Sequence, residues 1–123
     1  MSNECIFCKI VKGELPCYKI WEDEKHLAFL SIDPDVDGHT IVIPKKHAEN
    51  LFDISEEDFG EFCKSVKKVS DMFKKNFGAS GINLSNNSGI DVGQEVMHMH
   101  FHILPRLEDD GRRLRLTGKN KLV

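Results

Sequence analysis

The stretch Val96-Met97-His98-Met99-His100-Phe101-His102-Ile103-Leu104 carries a histidine at every second position and an apolar residue at each place between. Side chains alternate along an extended strand. His98, His100 and His102 therefore share one face, and Met97, Met99, Phe101 and Ile103 share the other, which should meet the core. Neighbouring histidines would stand about 6.5–7 Å apart along the strand. A single histidine is ordinarily a solvated or satisfied side chain, but three on one face require a reason. Two chemistries fit. The imidazoles could bind a metal that activates water, or one could attack phosphorus while the others bind phosphate oxygens or shuttle protons. The residues before the strand favour phosphorus, because Asn87-Ser88-Gly89 and Gly93-Gln94 supply amide donors on a flexible loop. The same composition also makes an ordinary turn.

Outward from this strand, Gly81 to Ser85 reads as its predecessor in a sheet, with a Gly- and Asn-rich loop between. Tyr18–Trp21 and Leu27–Ile32 are short apolar runs flanking a charged turn, which predicts a hairpin. His39 to Ile43 is β-branched and ends at Pro44, a third strand. Cys5 to Val11 reads as a short amphipathic helix closed by Gly13 and Pro16. The longest periodic segment is Ser55–Phe77. Ser55 is a good N-cap, Phe59, Phe62, Cys63, Val66, Val69, Phe73 and Phe77 recur at helical spacing, and Gly78 stands where a left-handed cap belongs. These elements predict an α+β domain with a mainly antiparallel, five-stranded meander, one long helix and one short one. A small open sheet has edges, and pairing with a second copy covers one. The wide stripe of the long helix is the expected companion surface. Cys63 is expected in that stripe as a core residue, Cys17 on a strand, and His26 in solvent on its charged turn, as are Lys45 and Lys46.

The chain has 123 residues, enough for one domain (1–123) and no second core. Apolar residues are 40% and charged residues 30%, with eight Phe, so burial outweighs disorder. The net charge of −3 argues against an obligate nucleic-acid binder. From Arg106 onward there are six basic residues against three acidic ones, a basic C-terminal segment (107–123) behind a core of about 5–106. That segment is either solvated or a lip attracting anionic substrates. No stretch approaches a membrane span, and the N-terminus has no signal-peptide pattern, so a cytoplasmic protein with reduced thiols is expected. Cys5-x-x-Cys8 in that compartment suggests metal or redox chemistry, or two ordinary half-buried thiols.

The segment from Gly93 to Leu104 resembles the signature of the histidine-triad (HIT) superfamily, in which three histidines alternate with apolar residues. Ile6-Phe7-Cys8-Lys9-Ile10, Ala28-Phe29-Leu30, Gly38-His39, Ile41 to His47, and Asn87 also stand where its Hint-like branch has corresponding segments. The resemblance implies a nucleotide hydrolase or transferase acting at the α-phosphate. His100 would be the nucleophile, forming a covalent nucleotidyl-histidine that water resolves. His102 would bind the α-phosphate or leaving group, and His39 would orient the nucleophile. Asn87, Gly93 and Gln94 would bind phosphate, and Ile6, Phe7, Ile10, Phe29 and Ile32 would grip the base. Without the resemblance those five are simply core or half-buried residues.

Two departures stand out. Ser31 replaces the aspartate that holds the ribose in Hint-like relatives, and Glu95 stands where a hydroxyl residue is usual. A carboxylate pointing inward there would repel phosphate, so Glu95 is expected to point away or to meet an amine leaving group. The resemblance also implies a structural zinc held by Cys5, Cys8, His47 and His98, with no metal required for catalysis. The substrates it implies are purine nucleotides (AMP- or GMP-like), above all phosphoramidates, and the assembly a homodimer with a ten-stranded sheet. The alternatives are a dinucleoside polyphosphate hydrolase, a metal-dependent hydrolase using the three histidines as ligands, and a nucleotide-binding regulatory module with little catalysis.

Overall fold

The computed structural model describes residues 4–111. The predicted basic segment falls largely outside them. Within them Arg106 is not a free lip cation, because its guanidinium makes two 2.7 Å hydrogen bonds to the Asp110 carboxylate and one of 2.9 Å to Asn83.

The five predicted strands form one antiparallel sheet. In chain order they are β1 (Lys19–Glu22), β2 (His26–Leu30), β3 (Thr40–Pro44), β4 (Gly81–Ser85) and β5 (Phe101–Arg106). The spatial order is β1-β2-β3-β5-β4. The first three strands are a meander as predicted, whereas β5 inserts between β3 and β4 and leaves β1 and β4 at the edges. A short helix α1 (Ile6–Val11) lies on one face of the sheet and a long helix α2 (Glu56–Asn76) covers the other.

α2 starts where the sequence predicts, with the Ser55 hydroxyl accepting from the Asp58 N–H at 3.1 Å. It ends at Asn76 with Phe77 as its C-cap, and Gly78 follows at φ +72°. Phe62, Val66, Val69 and Phe73 pack on Ala28, Val42, Met99 and Ile103. Complete burial of Phe62 contributes about 2–3 kcal/mol by apolar transfer. The stripe is therefore spent on the chain's own sheet, and does not stand open as the expected subunit surface. Its centre is displaced toward Ser65, so Cys63 lies to one side and is exposed, contrary to the core position predicted for it.

β2 begins one residue earlier than predicted, and this overturns the solvated reading of His26. Alternation puts His26 on the side of Ala28, against α2. There it is buried, stacks on Phe62 with ring centroids 5.7 Å apart, and lies 2.7 Å from the Ser65 hydroxyl. Lys45 and Lys46 pair with Glu22 and Asp58.

β5 also starts later than predicted, at Phe101 in place of Val96. Ladder pairing with β3 ends at Val42–Phe101. Beyond it the β3 strand reaches Pro44, which has no N–H to give. The Pro44 carbonyl is taken by the His98 ring at 2.8 Å, and the Met99 N–H turns to Ala48 O at 2.7 Å. Only His102 of the three histidines is therefore on a regular strand. The alternation survives nonetheless, since Met99, Phe101 and Ile103 face α2 while His98 and His100 meet Phe7 of α1.

Candidate active site and adjoining metal centre

The hydrogen bonds fix the tautomers of four histidines. A carbonyl oxygen can only accept, so a ring nitrogen facing one carries the proton. His98 Nε2 donates to Pro44 O at 2.8 Å, leaving its Nδ1 lone pair bare. His100 Nδ1 donates to His98 O at 2.7 Å, leaving its Nε2 lone pair bare. The Asp35 N–H donates to His39 Nδ1 at 3.1 Å, so the His39 proton resides on Nε2. That nitrogen is 2.9 Å from His102 Nδ1, which must accept, and His102 keeps its proton on Nε2. His39 thus serves His102, while the bond that holds His100 comes from its own backbone neighbourhood. Asn86 adds to this hold by donating to His100 O at 2.8 Å.

Burial holds these rings in the neutral form. It lowers the pKa of His39 against the opposing pull of Asp35 and Asp33, and it lowers that of His100 against its bond to His98 O. Burial, helped by the charges of His100 and His39, pushes His102 down to about 4. At neutral pH His100 therefore presents an unprotonated Nε2 and His102 an Nε2–H donor.

A cleft of about 680 Å³ opens onto these rings. Every predicted nucleotide-site residue lines it: Ile6, Phe7, Ile10, Phe29, Ser31, Ile32, Asn87, Gly93, Gln94 and Glu95, together with His39, His100 and His102. Phe7 and Phe29 are buried with ring centroids 5.5 Å apart, and Ile32 is 95% exposed at the rim. The predicted donors are used differently from expectation. The Gly93 and Gln94 amides close onto the Ile90 and Gly89 carbonyls at 3.1 Å each. The Gln94 side chain is buried and donates to Glu49 O at 2.7 Å and Val96 O at 3.0 Å. Both residues therefore brace the loop. Gly93 adopts φ +94°, a backbone that favours glycine.

The lining also contains residues that the sequence did not single out. Cys17 falls just before β1 and half-buried against Phe7 and Phe29, so it is a cleft wall and not a strand residue. Asp33 and Asp35 join Glu95 on the lining, which contains no lysine or arginine among the described residues. Glu95 lies on the lining and is exposed. Turn chemistry was legible in Asp33-Pro34-Asp35, but its approach to the histidines depends on the β2–β3 connection folding back.

Behind the cleft, Cys5, Cys8, His47 and His98 present four donor atoms within 4.8 Å of one another, the one such cluster found among the described residues. His98 Nδ1 is 3.3 Å from Cys5 Sγ, 3.6 Å from Cys8 Sγ and 3.2 Å from His47 Nδ1, and Cys8 Sγ is 3.3 Å from His47 Nδ1. Tetrahedral zinc with its usual bond lengths spaces such ligands about 3.3–3.8 Å apart. Two thiol sulfurs and two imidazole Nδ1 atoms are a soft donor set, and the Pro44 carbonyl on His98 is the outer partner that holds a ligating ring. The residues fit a closed zinc site. The same geometry counts against the triad as a metal-ligand set, because His98 turns to the cysteines and His100 Nδ1 is bound to backbone.

Comparison with known proteins finds relatives of the whole described domain. The profile of the HIT domain matches residues 12–109. An uncharacterized HIT-like protein of Methanocaldococcus jannaschii is 50% identical over 107 residues, 87% of this chain and 82% of its own. The adenosine 5′-monophosphoramidase of Schizosaccharomyces pombe is 43% identical over 106 residues, 86% of this chain and 77% of its own. Among solved structures, a zinc-bound histidine triad family protein from Mycobacterium smegmatis superposes with a TM-score of 0.86 at 35% identity, covering 94% of this chain and 84% of that one.

Proposed function

The chain belongs to the HIT family, and from that premise we propose that it is a nucleotide-binding hydrolase. It would cleave at the α-phosphate of purine nucleoside phosphoramidates or related nucleotides, through a covalent nucleotidyl-histidine on His100. The observation that carries this reading is the tautomer chain. His100 offers a bare Nε2 and His102 an Nε2–H donor, both lining the same cleft. In the first step the His100 Nε2 lone pair forms a bond to phosphorus. The bond from phosphorus to the leaving nitrogen breaks, and that nitrogen departs as the amine with a proton taken from solvent, while neutral His102 donates its Nε2–H as a hydrogen bond to the departing group. Water then attacks phosphorus, the bond to His100 breaks, and the water's proton passes to solvent.

The apolar walls from Ile6 to Ile32 would hold the base, and the Asn87 side chain would contact phosphate. The acidic lining residues Asp33, Asp35 and Glu95 suit an amine leaving group better than a polyphosphate one. Zinc at Cys5, Cys8, His47 and His98 would be structural, tying the start of α1 to the sheet, and would take no part in bond cleavage. No described helix is long and apolar enough to cross a membrane, and a cytoplasmic protein is proposed. The chain 1–123 would act as one domain. It would pair into a homodimer through an exposed sheet edge such as β4, where Leu84 is 48% exposed.

The test is turnover of adenosine 5′-phosphoramidate by the zinc-loaded wild type and by His100→Ala, with diadenosine tetraphosphate in parallel. Phosphoramidate turnover lost in the variant supports the reading. Preference for the dinucleotide moves the substrate class. Nucleotide binding with equal, negligible turnover in both proteins identifies a regulatory module instead.

A further inference from the structure

The four residues of the metal centre come from three segments, and each segment ends at a different part of the cleft. Cys5 caps α1, its sulfur accepting from the Cys8 N–H at 3.3 Å, and the same helix carries Ile6, Phe7 and Ile10 into the base end. Phe7 then touches the His100 ring edge-on, with centroids 5.3 Å apart. His98 lends its Nδ1 to the centre and its carbonyl to His100 Nδ1 at 2.7 Å. His47 opens a short stretch whose Ala48 carbonyl accepts from Met99 and whose Glu49 carbonyl accepts from the Gln94 side chain at the phosphate loop, both at 2.7 Å.

We propose that the metal centre sets nucleotide affinity: its occupancy fixes the base wall, the His100 ring and the phosphate loop together, so metal and nucleotide bind cooperatively. The physical reason is pre-organisation. The Cys8 sulfur is half-exposed and the His47 ring exposed, and their 3.3 Å contact ties α1 to the 47–49 stretch across the centre, a contact that an ion bound to both would replace with two coordinate bonds. A cleft ordered in advance binds its ligand without the ordering cost. Linkage makes the effect reciprocal, so the factor by which metal tightens nucleotide is the factor by which nucleotide tightens metal.

The inference rests on the cleft being a nucleotide site, and the test keeps the two apart. AMP affinity is measured by calorimetry on zinc-loaded and metal-free protein, and zinc affinity by chelator competition with and without saturating AMP. The expected result is AMP weakened about tenfold without zinc, and zinc tightened by the same factor with AMP. In Cys8→Ser, which alters no cleft-lining side chain, AMP affinity should fall at low zinc and recover at saturating zinc. This titration remains informative if the metal-free wild type unfolds. A centre that raises Tm on zinc binding while AMP affinity stays equal, or that binds no zinc, overturns the inference. AMP affinity that tracks zinc without phosphoramidate turnover supports it and overturns the hydrolase reading. Turnover with AMP affinity indifferent to zinc does the reverse, and no AMP binding in either form removes both.

Discussion

Replacing His39 probes the tautomer chain most selectively, because its ring donates to His102 Nδ1. In His39→Ala the 2.9 Å bond that forces His102 Nδ1 to accept is gone. The His102 proton can then sit on either nitrogen, and only the Nε2–H form can donate a hydrogen bond to the departing group. A neutral hydrogen bond is worth about 1 kcal/mol net, so its loss should lower kcat about fivefold. His102→Ala removes the donor itself and should cost on the order of 10²–10³ in kcat. The double variant should be no slower than His102→Ala, since His39 has nothing left to orient. His39→Gln, which keeps an N–H donor, should recover part of the loss. The assay is steady-state turnover of adenosine 5′-phosphoramidate, with kcat and KM separated for all four proteins. Losses that multiply in the double variant would refute the reasoning, as would a His39→Ala enzyme with unchanged kcat.

Three further outcomes follow from the fold. His98 and His102 titrate near 4 in the folded protein against about 6.5 unfolded, so the unfolded state binds more protons between these values. Stability of metal-free protein is then complete above pH 6.5 and lost toward pH 4, at up to ~1.4 kcal/mol per pH unit for buried His98 and less for half-buried His102; a Tm flat or rising from pH 7 to pH 5 contradicts this. Ser65→Ala strips His26 of its 2.7 Å partner inside the core and should cost about 1–3 kcal/mol in urea unfolding. Gly38→Ala should destabilise by about 1–3 kcal/mol or more, because Gly38 sits at φ +82° and a Cβ there would stand 3.1 Å from Pro105 and 3.2 Å from Phe77; a neutral result would mean that this turn relaxes freely.

Much of the molecule was legible because its periodicities are local. Alternation from Met99 to Ile103 gave the two faces of β5, and helical spacing with Ser55 and Gly78 gave both ends of α2. The predicted nucleotide-site residues came from the resemblance and all line one cleft, whereas Cys17, Asp33 and Asp35 beside them were not singled out. What escaped depends on contacts distant in sequence. His26 looked solvated because its neighbours are charged, and only a strand beginning one residue earlier turns it under α2. Cys63 matched the helical stripe within tolerance, but Ser65 took the buried flank once it could meet His26. The partner of His39 could not be read locally, since it depends on register between β3 and β5. Nor could the use of Gln94 as a brace, which is set by the Glu49 carbonyl 45 residues away.

Attack of His100 Nε2 on phosphorus forms a bond that can be caught directly. Zinc-loaded protein is mixed with a slow adenosine phosphoramidate, quenched in alkali within a turnover, digested and read by mass spectrometry. One adenylyl group is expected on the peptide holding His98–His102, localised by fragmentation to His100 and absent from His100→Ala. An adenylyl group on His98 or His102, or full single-turnover product formation with no adduct at any time, would contradict it.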